Sequence, residues 1–172
     1  MSCGAGGAVN PALIALAGVV VGGGVTFLSQ YLLQRTEQQH LARRVACGLA
    51  GEIGALLEIA ERRHYVSALR DMAQSTQPLR PSIRATRNYF KVFDANADKV
   101  GLLGGDLPER VAAFYVRGSA ILEDFDAISA PEFVTWTLEE QRQYYTATAD
   151  LLEETVALGK EAVERLRTFS RA

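Results

Sequence analysis

Two Glu-x-x-His pairs, Glu37–His40 and Glu61–His64, come closest in this chain to the spacing of a metal site. Di-iron bundles draw such pairs from different helices that face one core. Here both pairs fall in one helical stretch, about 24 residues or roughly 36 Å apart at the α-helical rise. Both also lie among charged residues, so they read as a solvated face. No metal and no cofactor is expected.

Glu52 is a stronger candidate for chemistry. On a helical projection it lies roughly 40° from the centre of the Leu49–Ile53–Leu56 stripe, at about 100° per residue. A carboxylate in that position is at least partly buried and needs a partner. Downstream, Arg87, Asn96 and Tyr115 could supply one, as could Arg84, Asn88 and Tyr89. Two readings follow: a polar site inside a helical bundle, or a buried hydrogen bond that sets helix register. Arg63 projects toward the same stripe and could meet acidic residues later in the chain.

No nucleophile with a matching base is visible. Both histidines lie in the first half of the chain, and no Ser or Cys carries a local catalytic signature. Gly104-Gly105 before Asp106 has the look of an anion-binding turn, but Asp106 would repel phosphate and no P-loop lysine follows. No enzymatic activity is expected. Cys3 and Cys47 show neither CxxC nor zinc spacing, and Cys47 reads as a small helix residue.

The elements that must position these residues begin with an uncharged run, Ala12 to Leu33. At roughly 1.5 Å per residue its length of about 33 Å matches a bilayer core of roughly 30 Å. The run predicts a single transmembrane helix, with residues 1–11 as a short outer tail and 34–172 as a helical cytoplasmic domain. No Lys or Arg precedes Arg35, whereas Arg35, Arg43 and Arg44 follow the run. The positive-inside rule then puts the N-terminus outside and the domain in the cytoplasm. The missing basic head also argues against a cleaved signal peptide. Gly18 and Gly22 have the small-xxx-small spacing that lets two membrane helices approach closely.

Gln34–His40 contains no breaker, so the helix is expected to run on. Leu41, Val45, Leu49, Ile53, Leu56 and Ala60 recur at helical spacing, and Leu69 and Met72 extend the apolar character toward Ala73. Two prolines make Gln74–Pro81 a linker. A second helix is expected from Pro81 to Val100, ended by Gly101 in a left-handed position. Asp106 and Glu109 have capping-box spacing for a third helix, which Pro131 ends. A fourth is expected from about Glu132 to Phe169, with an acidic outer face. No strand pattern appears, and short connections favour antiparallel neighbours. The fold expected is therefore all-α: a transmembrane helix plus an antiparallel bundle of about four helices, with coiled-coil-like spacing in the third.

The charge is uneven. Basic residues exceed acidic ones by about 4 between Arg35 and Lys99, and acidic residues lead by about 6 from Val100 onward. The basic half lies beside the expected anchor, where anionic lipid favours it. It is too sparse for a nucleic-acid surface and carries none of the usual motifs. The partners expected are membrane lipid and a second copy of the chain or an unidentified protein, with no nucleic acid.

Two segments, LSQYLLQRTEQQHLARRVACGLAGEIGALLE and YFKVFDANADKVGLLGGDLPERVAAFY, carry a resemblance. The chain resembles uncharacterised bacterial single-span membrane proteins that have an N-terminal anchor and a helical cytoplasmic domain. That resemblance implies an inner-membrane location and no known activity. The function expected is a membrane-anchored helical interaction or scaffold module. The alternatives are a ligand-sensing bundle or a membrane-active component of a mobile-element or toxin system.

Overall fold

The computed structural model describes residues 11–77 and 89–171, without the side chains of residues 11–28. Cys3, Arg87 and the expected helix start at Pro81 lie outside the described residues, and the contacts of the Gly18–Gly22 pair fall, with most side chains of Ala12–Leu33, outside what is described. Among the described residues no helix is long and apolar enough to cross a membrane.

The protein is all-α, with no strand among the described residues. Its α-helices are α1 (Pro11–Arg62), α2 (Tyr65–Gln74), α3 (Lys91–Asp94), α4 (Leu107–Ser129) and α5 (Leu138–Arg171). Tight 3-10 turns occupy Ala97–Leu102 and Pro131–Thr135. The chain divides into two units, Met1–His40 and Leu41–Ala172. In the first, residues 29–40 are exposed throughout, including Tyr31, Leu32 and Leu33.

In the second unit α5 is the common partner. Its contacts with α4 run in opposite order along the two helices: Asp106 meets Arg165, Arg110 meets Glu161, Arg117 meets Glu154 and Asp124 meets Tyr144. Glu61 of α1 pairs with Lys160 at 2.7 Å. Arg70 of α2 pairs with Asp150 at 2.7 Å and Glu153 at 3.0 Å. Here too, later residues of α2 meet earlier ones of α5, since Arg142 Nε donates to the carbonyl of Ala73 at 2.9 Å. α5 thus runs antiparallel to α2 and α4, and α1 also meets α4 directly, Tyr115 bonding to Glu52.

This differs from the expected set of about four helices in two ways. The first helix does not reach Ala73 unbroken. It stops at Arg62, and His64 adopts left-handed backbone (φ 50°, ψ 39°) before α2 begins. Such a conformation disfavours a residue with a Cβ by roughly 1–2 kcal/mol. The apolar phase explains it. In an unbroken helix, Leu69 would lie about 160° around from Ile53 at about 100° per residue. Yet Ile53 and Leu69 are both fully buried. The break turns Leu69 and Ala73 onto a second core cluster with Ile121, Phe125, Tyr145 and Leu152. Ile53 belongs to a first cluster with Leu49, Val111, Phe114, Val163 and Leu166.

The second correction concerns the expected helix over Pro81–Val100. Its described part, from Tyr89, holds only the single-turn α3 and a 3-10 turn. Gly101 lies inside that 3-10 turn rather than in a left-handed cap. The left-handed glycine is Gly105 (φ 66°), just before α4. α4 and its end before Pro131 match expectation. The fourth helix starts later than Glu132, at Leu138, because Pro131–Thr135 forms its own turn.

Candidate functional site

Glu52 sits on the flank of the stripe that α1 presents to the core and is half-buried. Three donors converge on it. The backbone N–H of Val92 donates to Oε1 at 2.7 Å and that of Phe93 to Oε2 at 3.1 Å. The Tyr115 hydroxyl donates to Oε2 at 2.6 Å. Val92 and Phe93 are the second and third residues of α3, whose own N-cap residue, Phe90, offers no side-chain acceptor. The first N–H groups of any helix lack partners within it. Glu52 fills that need from a residue 40 positions away in sequence. Its charge also suits the positive end of a helix.

Tyr115 is held as tightly as the carboxylate it serves. Its ring stacks on Phe93 with centroids 4.0 Å apart and meets Phe90 edge-on at 5.2 Å. Only 2% of the residue is exposed. Burial, followed by the bond to Glu52, pushes its hydroxyl far above the ordinary phenol range. Asn96 stands one step out: its Nδ2 donates to the Val92 carbonyl at 2.8 Å rather than to Glu52. The structure therefore brings Glu52 and Tyr115 into direct contact and places Asn96 behind them. With both oxygens occupied by neutral donors, the carboxylate is a fastening for the 89–103 segment.

The other residues singled out in the sequence behave differently. Asp106 occupies the N-cap position of α4, but its backbone (φ −91°, ψ 2°) is not extended and its side chain makes no cap bond. The carboxylate turns instead to Arg110 Nε at 2.7 Å and Arg165 at 2.8 Å. The Arg110 guanidinium holds the Asp106 carboxyl below the usual carboxylate range. The expected capping box with Glu109 thus gives way to two ion pairs. A reciprocal box does exist at α5: the Thr137 N–H donates to Glu140 Oε2 at 2.8 Å, and the Glu140 N–H donates back to Thr137 Oγ1 at 3.2 Å. The Thr137-x-x-Glu140 spacing would have revealed it in the sequence.

Arg63 does not reach the acidic helix α5. Its guanidinium donates to the Tyr65 hydroxyl at 3.0 Å and lies 6.0 Å from that ring's centre. Glu61 is paired with Lys160, and His64 forms the helix break. No set of three or more metal-ligating side chains comes together among the described residues. Trp136 is 40% exposed and packs on Phe133 and Tyr144.

Sequence reasoning missed a cavity. It has a volume of about 110 Å³ and opens between the end of α1, the start of α2 and the middles of α4 and α5. Leu57, Phe90, Phe114, Ile121, Phe125 and Leu152 supply much of its wall, and no charged side chain lines it among the described residues. Glycines help shape its surroundings: a Cβ at Gly118 would come within 3.0 Å of the Phe90 ring, and one at Gly159 within 2.6 Å of Phe114. Glu52 is not part of this wall.

No family model matches the chain, and the comparisons with curated proteins and with solved structures likewise gave no match.

Proposed function

We propose that the chain is a membrane-tethered, non-catalytic helical binding module of the bacterial inner membrane. The uncharged stretch Ala12–Leu33 carries this reading, because its length and composition suit a bilayer span. The basic residues that follow it favour a cytoplasmic domain. The use of Glu52 as an internal fastening supports a non-catalytic role, since both oxygens of the best-placed acid in the bundle already accept hydrogen bonds from within the fold. The test is alkaline carbonate extraction of membranes from cells expressing the full chain, combined with a C-terminal reporter fusion. The expected result is retention in the pellet with a cytoplasmic reporter. Release into the supernatant would overturn the tether, and a periplasmic reporter would overturn the orientation.

The apolar cavity favours a second reading of the same module, a bundle that senses a small molecule. Pockets between helices of a bundle are common places for ligands, and this one is lined almost wholly by hydrocarbon and aromatic surface.

A further inference from the structure

We infer that the cavity between α1, α2, α4 and α5 binds a small single-ring aryl carboxylate, with the ring inside and the carboxylate on Arg63. This rests on the ligand-sensing reading and adds the chemistry of the ligand. Size comes first. An apolar cavity of about 150 Å³ stays dry and takes up benzene, and the volume here is about 110 Å³. One ring or its equivalent fills a space of this size. The wall favours an aromatic body. Tyr65, Tyr89, Phe90, Phe114 and Phe125 all border the space, and edge-to-face contacts between rings are favourable beyond simple burial.

Charge at the rim selects the head group. Ile59 and Ala60 border the cavity, and Arg63, just past the end of α1, donates its N–H to the Ile59 carbonyl at 3.1 Å. It is tied to the hydroxyl of Tyr65, a wall residue, at 3.0 Å. The nearby cations and acids are already paired: Arg62 with Glu58, Lys160 with Glu61, and Arg117 with Glu154. Arg63 has no carboxylate partner among the described residues, so a planar anion has a guanidinium fork open to it. The left-handed His64 beside it holds this corner in a conformation that a plain helix would avoid. Strained backbone of this kind concentrates at ligand-binding corners.

The test uses the full chain in lipid nanodiscs, with empty discs as the blank. Binding of 3-phenylpropionate and of neutral 3-phenylpropanol is measured by calorimetry, and methyl resonances of Leu57, Ile121 and Leu152 report the location. Both probes are expected to shift those methyls, with the carboxylate about fivefold tighter at low salt, as for an exposed ion pair. Arg63→Gln should remove the preference and leave the alcohol's affinity unchanged. Ala60→Leu, which fills the cavity, should weaken both probes. Equal binding of the two probes by the unaltered chain would overturn the carboxylate assignment and leave ligand sensing standing. Failure of either probe to move the methyls would overturn both. Methyl shifts that follow protein concentration instead would show a second copy in the cleft and overturn the small-molecule site.

Discussion

Glu52 and Asp124 each accept a hydrogen bond from a tyrosine, at 2.6 Å from Tyr115 and 2.7 Å from Tyr144. The surroundings make them different devices. Asp124 joins two long helices, taking its second bond from Thr148 Oγ1 at 3.2 Å, one turn along α5 from Tyr144. α4 and α5 already share an extensive apolar seam, so this pair adds alignment to a contact that exists without it. Glu52 fastens a segment with little helix of its own, and its other two bonds go to backbone N–H groups that α3 cannot satisfy internally. The first pair trims a helix interface. The second fastens the 89–103 segment to α1. The tyrosines record the contrast: burial pushes Tyr144 up to about 12, and Tyr115, more deeply buried, goes higher still.

The largest effect expected is from Glu52→Ala. It strands two backbone donors and a buried hydroxyl and should cost about 3 kcal/mol of unfolding free energy. Denaturant titration of the full chain measures this, and amide exchange at Val92 and Phe93 should accelerate. A loss below about 1 kcal/mol would remove the distinction between the two carboxylates. Tyr115→Phe comes next, at about 1.5 kcal/mol for one bond to a charged acceptor. Tyr144→Phe should cost about 0.5 kcal/mol, because its hydroxyl is nearer solvent. If Tyr144→Phe proves the costlier change, the ranking of the two sites is reversed.

Alkaline pH sharpens the same contrast. Both tyrosines have folded-state values above the unfolded phenol value of about 10. Their contribution is therefore fully present below about pH 10 and is lost as pH rises through the folded values, because the unfolded chain releases its protons first. Stability measured against pH should fall above about 10, and Tyr115→Phe should flatten that fall more than Tyr144→Phe does. The smallest effect is expected at the Thr137–Glu140 box. The backbone and side chain of Thr137 hold the Glu140 carboxyl below its ordinary value. Its stabilisation is present above the usual carboxylate range and is lost as pH falls through the lowered folded value. Thr137→Ala should fray only the first turn of α5, seen as faster exchange at Gln141 and its neighbours.

Much of this was legible from residue spacing. The burial of Glu52 followed from its angle to the Leu49–Ile53 stripe, and Tyr115 was among its candidate partners. The extent of α4 followed from Asp106 and Pro131. The break at His64 was in principle readable too, because Leu69 and Ala73 are out of phase with Ile53, but no Gly or Pro marks it. The fate of Asp106 was not readable. Arg165 is 59 positions away, and only the packing of α5 against α4 brings it close enough to draw the carboxylate from the cap. The cavity was equally hidden, since each of its wall residues reads as ordinary core.

The sequence by itself determined that the chain is helical, where its uncharged stretch lies and which faces turn inward, because these depend on periodicities a few residues long. Tertiary structure decided that Glu52 serves the backbone of α3, that the first helix breaks to feed two core clusters, and that a cavity remains between them. Those outcomes depend on which distant groups meet, and local spacing carries no information about the partner that arrives from 40 or 60 residues away.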